Sequence, residues 1–215
     1  WGGNSSSDGV EGISNPAANL GNTPIELLES RQPIEITKYA FITNSGGPGC
    51  QRGGVALVRG YRLLEEAAEL VVRSDRRSVL PYGLADGLPG TPSWNVIYSD
   101  GNQKLLPACP MESVPMKKGD EFIHYQAGAG GYGDPLDREP DKVLRDTMNE
   151  LFSLDYAAEV YGVIIENERV SEEKTAKKRK ILRADKSHKD AYLQHFHKAI
   201  GVDFSNWEPH FVNKS

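Results

Sequence analysis

The sequence predicts an α+β fold in which an antiparallel β-rich sandwich or roll is followed by C-terminal helices. Up to about residue 125, short segments of alternating apolar and polar residues are separated by turns rich in Gly and Pro, as in antiparallel sheets. After Pro140 the apolar residues recur at helical spacing instead. We therefore divide the chain into a β-rich region at 1–139, a short helical segment at 140–170 and a charged helical tail at 171–215.

Within the β-rich region, three stretches are candidates for the first strands. Residues 1–24 are rich in Gly, Ser and Asn, and we expect them to be irregular and to be ordered, if at all, by packing on something else. Apolar residues alternate over 34–42 and again over 55–64, and each pattern predicts a strand. Residues 70–72 are a third candidate, although the longer stretch 63–72 also fits a helix.

The clearest local signal is a hairpin. The apolar runs Asn95–Tyr98 and Lys104–Leu106 flank Asp100-Gly101, and Asp-Gly between such runs is typical of a two-residue hairpin turn. Before it, residues 79–94 are rich in Pro and Gly, which indicates a loop of defined shape. After it, a turn at 117–120 leads into a strand at 121–125.

Three helices are expected after the sheet. The residues predicted to share one face of the first, which begins near Pro140, are Val143, Leu144, Met148, Leu151 and Phe152. Ser153 is placed to cap a second short helix, which Gly162 ends. The third is one long charged helix from Ser171 to Ile200, whose Lys/Arg run over 174–189 we interpret as a solvated face or a subunit contact.

Composition excludes several classes of protein. A net charge of −5 over 215 residues argues against a nucleic-acid or anionic-membrane partner. No apolar run approaches the ~20 residues that a membrane-spanning helix needs. The two cysteines, Cys50 and Cys109, form no CxxC motif, which favours a reducing, cytoplasmic location. The chain opens Trp1-Gly2-Gly3 with neither an initiator Met nor a signal segment, and we interpret it as a fragment of a longer subunit.

Two glycine-rich segments invite comparison with nucleotide-binding loops. Residues 128–133 match GxGxxG, but Asp134-Pro135 follows where a dinucleotide-binding helix would begin, so we expect a tight turn that closes the last strand. Residues 45–54 lack the Gly-Lys-Ser/Thr ending of a phosphate-binding loop. Their glycines are expected to permit positive φ in a hairpin, or close packing. Arg52 in this segment could meet an anion, but an exposed arginine is the simpler interpretation.

The titratable residues do not assemble into a recognisable catalytic motif. His188 and His195 are seven residues apart, about 10 Å along a helix, and cannot share an ion. His195 and His197 would point to different sides of a helix, and His124 has no second ligand nearby in sequence. There is no GxSxG motif, and neither cysteine has a neighbouring base. We expect no metal or cofactor site within this chain.

One charged cluster could line a pocket, although such clusters are more often surface ion pairs. It consists of Asp75 and Arg76, followed by Arg77. Arg52, Asp75 and Arg76 are therefore the candidate pocket or interface residues, and no catalytic residue is assigned.

The order of five blocks is more specific than any single motif. The blocks are Asn22–Glu29, Ser45–Arg59, Asp75–Gly90, Gly130–Arg138 and Ala158–Val163. The second contains Ser-Gly-Gly-x-Gly-x-x-Arg-Gly-Gly followed by an apolar strand that ends in Val-Arg. Together they resemble, in order, the hydantoinase B/oxoprolinase family over about residues 1–165.

This resemblance implies a subunit of an ATP-dependent cyclic-amide hydrolase of the hydantoinase, N-methylhydantoinase or 5-oxoprolinase type. It would act in a hetero-oligomer with the N-terminal half of the same subunit and a hydantoinase A-type partner that binds ATP and Mg²⁺. A divalent metal (Zn or Mn) is expected in the complete complex, held by His and Asp ligands of the N-terminal half, so no ligand is assigned here. Two alternatives are a subunit of an acetone/acetophenone-type carboxylase and a non-catalytic assembly module. The tail from about 171 matches no family pattern, and we expect it to make oligomer contacts.

Overall fold

The computed structural model describes residues 1–15, 17–18, 20–186 and 188–201. In chain order its elements are α1 (Ile25–Arg31), β1 (Ile34–Phe41), β2 (Leu57–Leu63), β3 (Ala67–Leu70), β4 (Trp94–Ser99), β5 (Asn102–Leu106), β6 (Val114–Lys117), β7 (Glu121–Tyr125), a 3₁₀ turn (Pro135–Asp137), α2 (Pro140–Met148), α3 (Leu154–Glu159), β8 (Ile165–Glu166), β9 (Arg169–Val170), α4 (Glu172–Asp185) and α5 (His188–Ile200). None of these helices is long and apolar enough to span a membrane.

The centre of the fold is a five-stranded sheet in the order β1-β2-β7-β4-β5. Every neighbouring pair in it is antiparallel. Two-stranded sheets are formed by β3 with β6 and by β8 with β9. The predicted α+β class, with antiparallel strands followed by helices, is confirmed.

Both faces of the central sheet are covered, because alternate residues of each strand point to opposite sides. On one face, Val96 and Ile123 pack with Phe196 of α5. On the other, Ile97 and Phe122 pack with Met116 of β6. The sheet is therefore enclosed between a helix of the C-terminal segment and the small β3-β6 sheet.

The hairpin prediction is confirmed, and the ambiguous third strand is resolved. β4 and β5 pair antiparallel around Asp100 and Gly101, whose φ values of 51° and 74° are those of a type I′ turn. The segment between 63 and 72 contains a strand, β3, and not a helix. This strand ends at Leu70, so the predicted stretch 70–72 is displaced toward the C-terminus.

The first two helices follow the prediction in part. Val143 of α2 is fully buried, but Met148 at its end is 54% exposed, so the expected apolar face is wrong at that position. The helix ends there, and the chain turns before Phe152 enters the core. Ser153 caps α3 as expected, since its hydroxyl accepts from the amide of Tyr156 at 3.2 Å.

The single long helix predicted from 171 to 200 is wrong. Lys186 takes up a left-handed conformation with φ of 57° and ends α4, and α5 begins at His188. This break redirects the chain so that Tyr192 and Phe196 of α5 are buried. The remainder of the predicted tail, 202–215, lies outside the described residues.

Candidate functional site

Four loop segments meet beyond one end of the central sheet. They are residues 1–11, 45–54, 81–91 and 126–133, and we call them the glycine layer. Three of them adjoin strand ends that the sheet register places side by side: Phe41 pairs with Leu57, and both Val58 and Trp94 pair with Tyr125. The segment 1–11 is not part of the sheet and joins the layer through its main chain.

Main-chain hydrogen bonds hold these segments together. The donors and acceptors include Gly3 N to Gly130 O (2.9 Å), Gly9 N to Arg52 O (2.7 Å), Gly47 N to Ala129 O (2.7 Å), Ala129 N to Gly54 O (3.0 Å) and Gly131 N to Leu88 O (3.0 Å). Polar main-chain groups of buried loops need such partners, and here each segment supplies them to another. Residues 1–11 are therefore irregular and held by packing on other segments of the chain, as expected for this part of 1–24.

The glycines are required because the backbones approach one another too closely for side chains. A Cβ on Gly53 would lie 1.9 Å from the carbonyl oxygen of Ala129, and one on Gly128 would lie 1.8 Å from that of Ser45. Neither glycine has a positive φ. The predicted tight glycine turn at 128–133 is wrong. This segment forms main-chain hydrogen bonds to each of the other three segments of the glycine layer, and within it only Gly133 has a positive φ.

A buried cluster of charges fastens the glycine layer to α2. The guanidinium of Arg138, which is fully buried, donates to both carboxylate oxygens of Asp8 at 2.6 and 2.9 Å. It also donates to Asp146 of α2 at 2.7 Å and to the carbonyl of Cys50 at 2.9 Å. Burial on its own raises the pKa of Asp8, but the hydrogen bonds and charge of Arg138 outweigh it, so that the pKa is lowered.

Arg52 completes this cluster. Its Nε lies 3.2 Å from a carboxylate oxygen of Asp146, its Nη1 is paired with Glu11, and its main-chain amide donates to Asp8 at 2.9 Å. The residue is only 6% exposed, so the expectation of an exposed arginine is wrong. Three carboxylates thus surround two guanidinium groups and balance their charge, although the Nε atoms of both arginines have no hydrogen-bond partner among the described residues. This arrangement locks segments together and leaves neither of these two cations available to a substrate.

The other two candidate residues lie elsewhere, on the surface. Arg76 and Asp75 form a loose pair at 3.7 Å, with side chains 46% and 85% exposed. Arg76 lines a hollow of about 280 Å³ beside the glycine layer, together with Tyr82 and the backbone of Gly130. The structure therefore separates Arg52, which is internal, from Arg76, which faces an open hollow.

Of the five residues in the charge cluster, only Arg52 was a candidate from the sequence, and Asp8, Glu11, Arg138 and Asp146 were not identified. One signal was available, because Asp146 lies three residues after Val143 and so shares the buried face of α2. Among the described residues, no group of three His, Cys, Asp or Glu side chains is placed to hold a metal ion.

Comparison with known proteins gives the family context. The family model for hydantoinase B/oxoprolinase matches residues 1–135. The B-type subunit of a putative D-/L-hydantoinase of Pseudomonas sp. (strain NS671) is 31% identical over 84% of this chain and 31% of its own length. The beta subunit of the caprolactamase of Pseudomonas jessenii is 35% identical over 66% of this chain and 25% of its own length. The chain thus spans between a quarter and a third of these relatives.

Solved structures give the same fold. The crystal structure of the ATP-dependent caprolactamase from Pseudomonas jessenii matches 74% of this chain and 28% of its own, with a TM-score of 0.64 and 31% identity. A nucleotide-free acetone carboxylase structure matches 95% of this chain and 37% of its own with a TM-score of 0.69, but at 17% identity it supports the fold alone. With a family model that matches well over half of its residues, the chain belongs to the hydantoinase B/oxoprolinase family.

Proposed function

We propose that this chain is the C-terminal portion of a subunit of an ATP-dependent cyclic-amide hydrolase. The observation that carries the proposal is that two relatives above 30% identity are named as a hydantoinase subunit and a caprolactamase subunit. Hydantoins and caprolactam are both cyclic amides. The acetone carboxylase alpha subunit of Xanthobacter autotrophicus is more distant, at 25% identity over 71% of the chain.

The chemistry that we propose begins with ATP. A ring amide is a poor electrophile, and phosphorylation of its carbonyl oxygen lowers the barrier to attack by water. ATP and Mg²⁺ belong in this scheme to a hydantoinase A-type partner subunit. A divalent metal, Zn or Mn, would be held by the N-terminal half of the B-type subunit and would activate the water. Both cysteines are free thiols, which supports the cytoplasmic location that we propose for this complex.

Within that complex, the role that we propose for this chain is to hold residues 1–11 rigidly, and with them the half of the subunit that leads into them. The support is the pairing of Asp8 with Arg138 across 130 positions of the chain. A bidentate pair whose arginine is fully buried fixes the orientation of a segment more firmly than surface contacts do. The chain would thus contribute placement to the reaction and leave the bond-breaking groups to its partners.

The test is a nucleotide assay on the complete complex. It is supplied with ATP and either hydantoin, N-methylhydantoin, 5-oxoproline or caprolactam, with and without bicarbonate. We expect ADP release that depends on a cyclic amide and is indifferent to bicarbonate. ADP release that requires a ketone together with bicarbonate would reject the hydrolase in favour of a carboxylase.

The same assay distinguishes a placing role from a site-lining role. Arg76→Gln alters the hollow beside the glycine layer. The control variant is Arg62→Gln, which removes a comparably exposed ion pair between Arg62 and Glu35. If this chain serves placement alone, turnover is the same in both variants. A loss of turnover that is confined to Arg76→Gln, in a complex that still assembles, would show that the hollow belongs to the active site.

A further inference from the structure

A row of polar and aromatic residues crosses the central sheet. The register pairs Tyr39 of β1 with Arg59 of β2, Arg59 with His124 of β7, and His124 with Asn95 of β4. Directly opposite residues on neighbouring strands point to the same face. The four side chains therefore stand side by side on the face that also carries Phe122 and Ile97 further along the strands.

Asn95 determines which nitrogen of His124 carries a proton. The Nδ2 of Asn95 donates to the hydroxyl of Ser74 at 2.9 Å and to the carbonyl of Pro107 at 3.1 Å. The reversed amide would place its oxygen against that carbonyl, so the observed orientation is the favourable one. The Oδ1 of Asn95 then faces Nδ1 of His124 at 2.7 Å. Because a carboxamide oxygen only accepts, Nδ1 of His124 must be protonated.

The ring of His124 is neutral, which leaves Nε2 as a hydrogen-bond acceptor. Burial lowers the pKa of His124, and the charges of Arg77 and Arg59 lower it further. A hydrogen bond between the ring and the main chain of Trp94 raises the pKa but is outweighed. In a neutral imidazole with its proton on Nδ1, the lone pair is on Nε2.

The charges of two arginines, Arg59 and Arg77, act on His124, and neither arginine has a carboxylate counter-ion among the described residues. Within that part of the chain, no carboxylate forms an ion pair with Arg59 or with Arg77. The guanidinium of Arg59 lies 4.5 Å from the ring centroid of Tyr39 and donates to the side-chain oxygen of Asn22 at 2.8 Å.

Arg77 is the more deeply placed of the two. Its guanidinium lies 4.6 Å from the ring centroid of Trp94, and its Nε donates to the carbonyl of Ser93 at 3.2 Å. Its Nη2 is buried and has no hydrogen-bond partner in the part of the chain that the structure describes. Its Nη1 donates to the carbonyl of Leu106, so this half-buried guanidinium is held by main-chain acceptors while no carboxylate among the described residues balances its charge.

We propose that Arg59 and His124 of this row, together with Arg77 of the loop before β4, bind a small oxyanion that carries one O–H group, with hydrogen phosphate as the model ligand. The guanidinium groups supply the attraction and the donors, and Nε2 of His124 accepts the hydrogen of the ligand. Because Nε2 of His124 accepts a hydrogen bond while the guanidinium groups donate, the site favours an oxyanion that carries a proton. The inference does not depend on which reaction the complete complex performs.

Phosphate and sulfate provide the test, because the two dianions have the same shape and differ by one hydrogen. Calorimetric titration of the intact protein is performed at about pH 8, where phosphate is mainly the singly protonated dianion and sulfate has no proton. We expect phosphate to bind about tenfold more tightly than sulfate. This difference corresponds to one hydrogen bond, from the O–H of hydrogen phosphate to Nε2 of His124, which sulfate cannot form.

Three variants locate the effect. His124→Phe is expected to abolish the preference for phosphate over sulfate. Arg59→Gln is expected to weaken both anions about tenfold, and Arg62→Gln, which alters an exposed residue paired with Glu35, is expected to change neither. The comparison of phosphate with sulfate uses the wild-type protein, so it does not depend on whether any variant folds. Equal affinity for the two anions, the absence of saturable phosphate binding, or a preference that survives in His124→Phe would each overturn the proposal.

Discussion

Replacing Arg138 with Met is expected to lower the free energy of unfolding by about 3–5 kcal/mol, the usual cost of breaking a buried ion pair from one side. Arg138 is fully buried and bonded to Asp8 and Asp146, and Asp146 is itself almost fully buried. Methionine retains much of the length of the side chain but supplies no donor. Two carboxylates would then lose charge-assisted hydrogen bonds at once, and residues 1–11 would lose their strongest attachment.

Denaturant unfolding of the wild type and the variant measures this loss. Arg183→Ala is the matched control, because Arg183 also pairs with an aspartate, Asp137 at 2.6 Å, but both side chains are more than half exposed. Exposed pairs contribute about 1 kcal/mol or less. If Arg138→Met costs no more than Arg183→Ala, the buried cluster does not stabilise the fold as we describe.

Gly53→Ala is expected to destabilise the fold to a comparable extent, although it adds only one methyl group. The new Cβ would lie 1.9 Å from the carbonyl oxygen of Ala129 and 2.8 Å from that of Gly130. Both neighbours are main chain, and Ala129 is held on either side by hydrogen bonds to Gly47 and Gly54. Overpacking usually costs about 1–3 kcal/mol, and a rigid backbone neighbour places this site at or above the top of that range.

Gly21→Ala provides the comparison in the same thermal and denaturant unfolding experiments. An added Cβ on Gly21 meets nothing within 4 Å among the described residues, and this glycine has no positive φ. Because alanine restricts the unfolded chain more than glycine does, Gly21→Ala should be neutral or stabilising by up to about 1 kcal/mol. Similar destabilisation by both substitutions would mean that Gly53 is not closely packed.

Local signals were sufficient for the parts of the fold that local chemistry determines. Asp100-Gly101 specifies a type I′ turn by itself, because both residues must take positive φ. Ser153 could be identified as a helix cap from its position alone. The short helix α1 was not predicted, and it has no buried residue whose spacing could have revealed it.

The glycine layer could not be deduced in this way. A glycine needed for positive φ and one needed for close backbone approach are identical in sequence, and the second kind depends on segments more than 70 residues away, such as 53 and 129. The same holds for Arg52, whose burial depends on Glu11 and Asp146 meeting it. The break at Lys186 likewise reflects the packing of α5 on the sheet, because no Gly or Pro marks it.

The claim on which this account depends is that the glycine layer is core structure and not a set of surface loops. Amide hydrogen exchange of the native protein tests it directly at Gly9, Gly47 and Ala129, whose amides donate between segments at 2.7 to 3.0 Å. These amides are predicted to exchange as slowly as those of β7, which open only when the whole structure unfolds. Exchange as fast as that of the exposed hairpin turn at Gly101 would contradict the account.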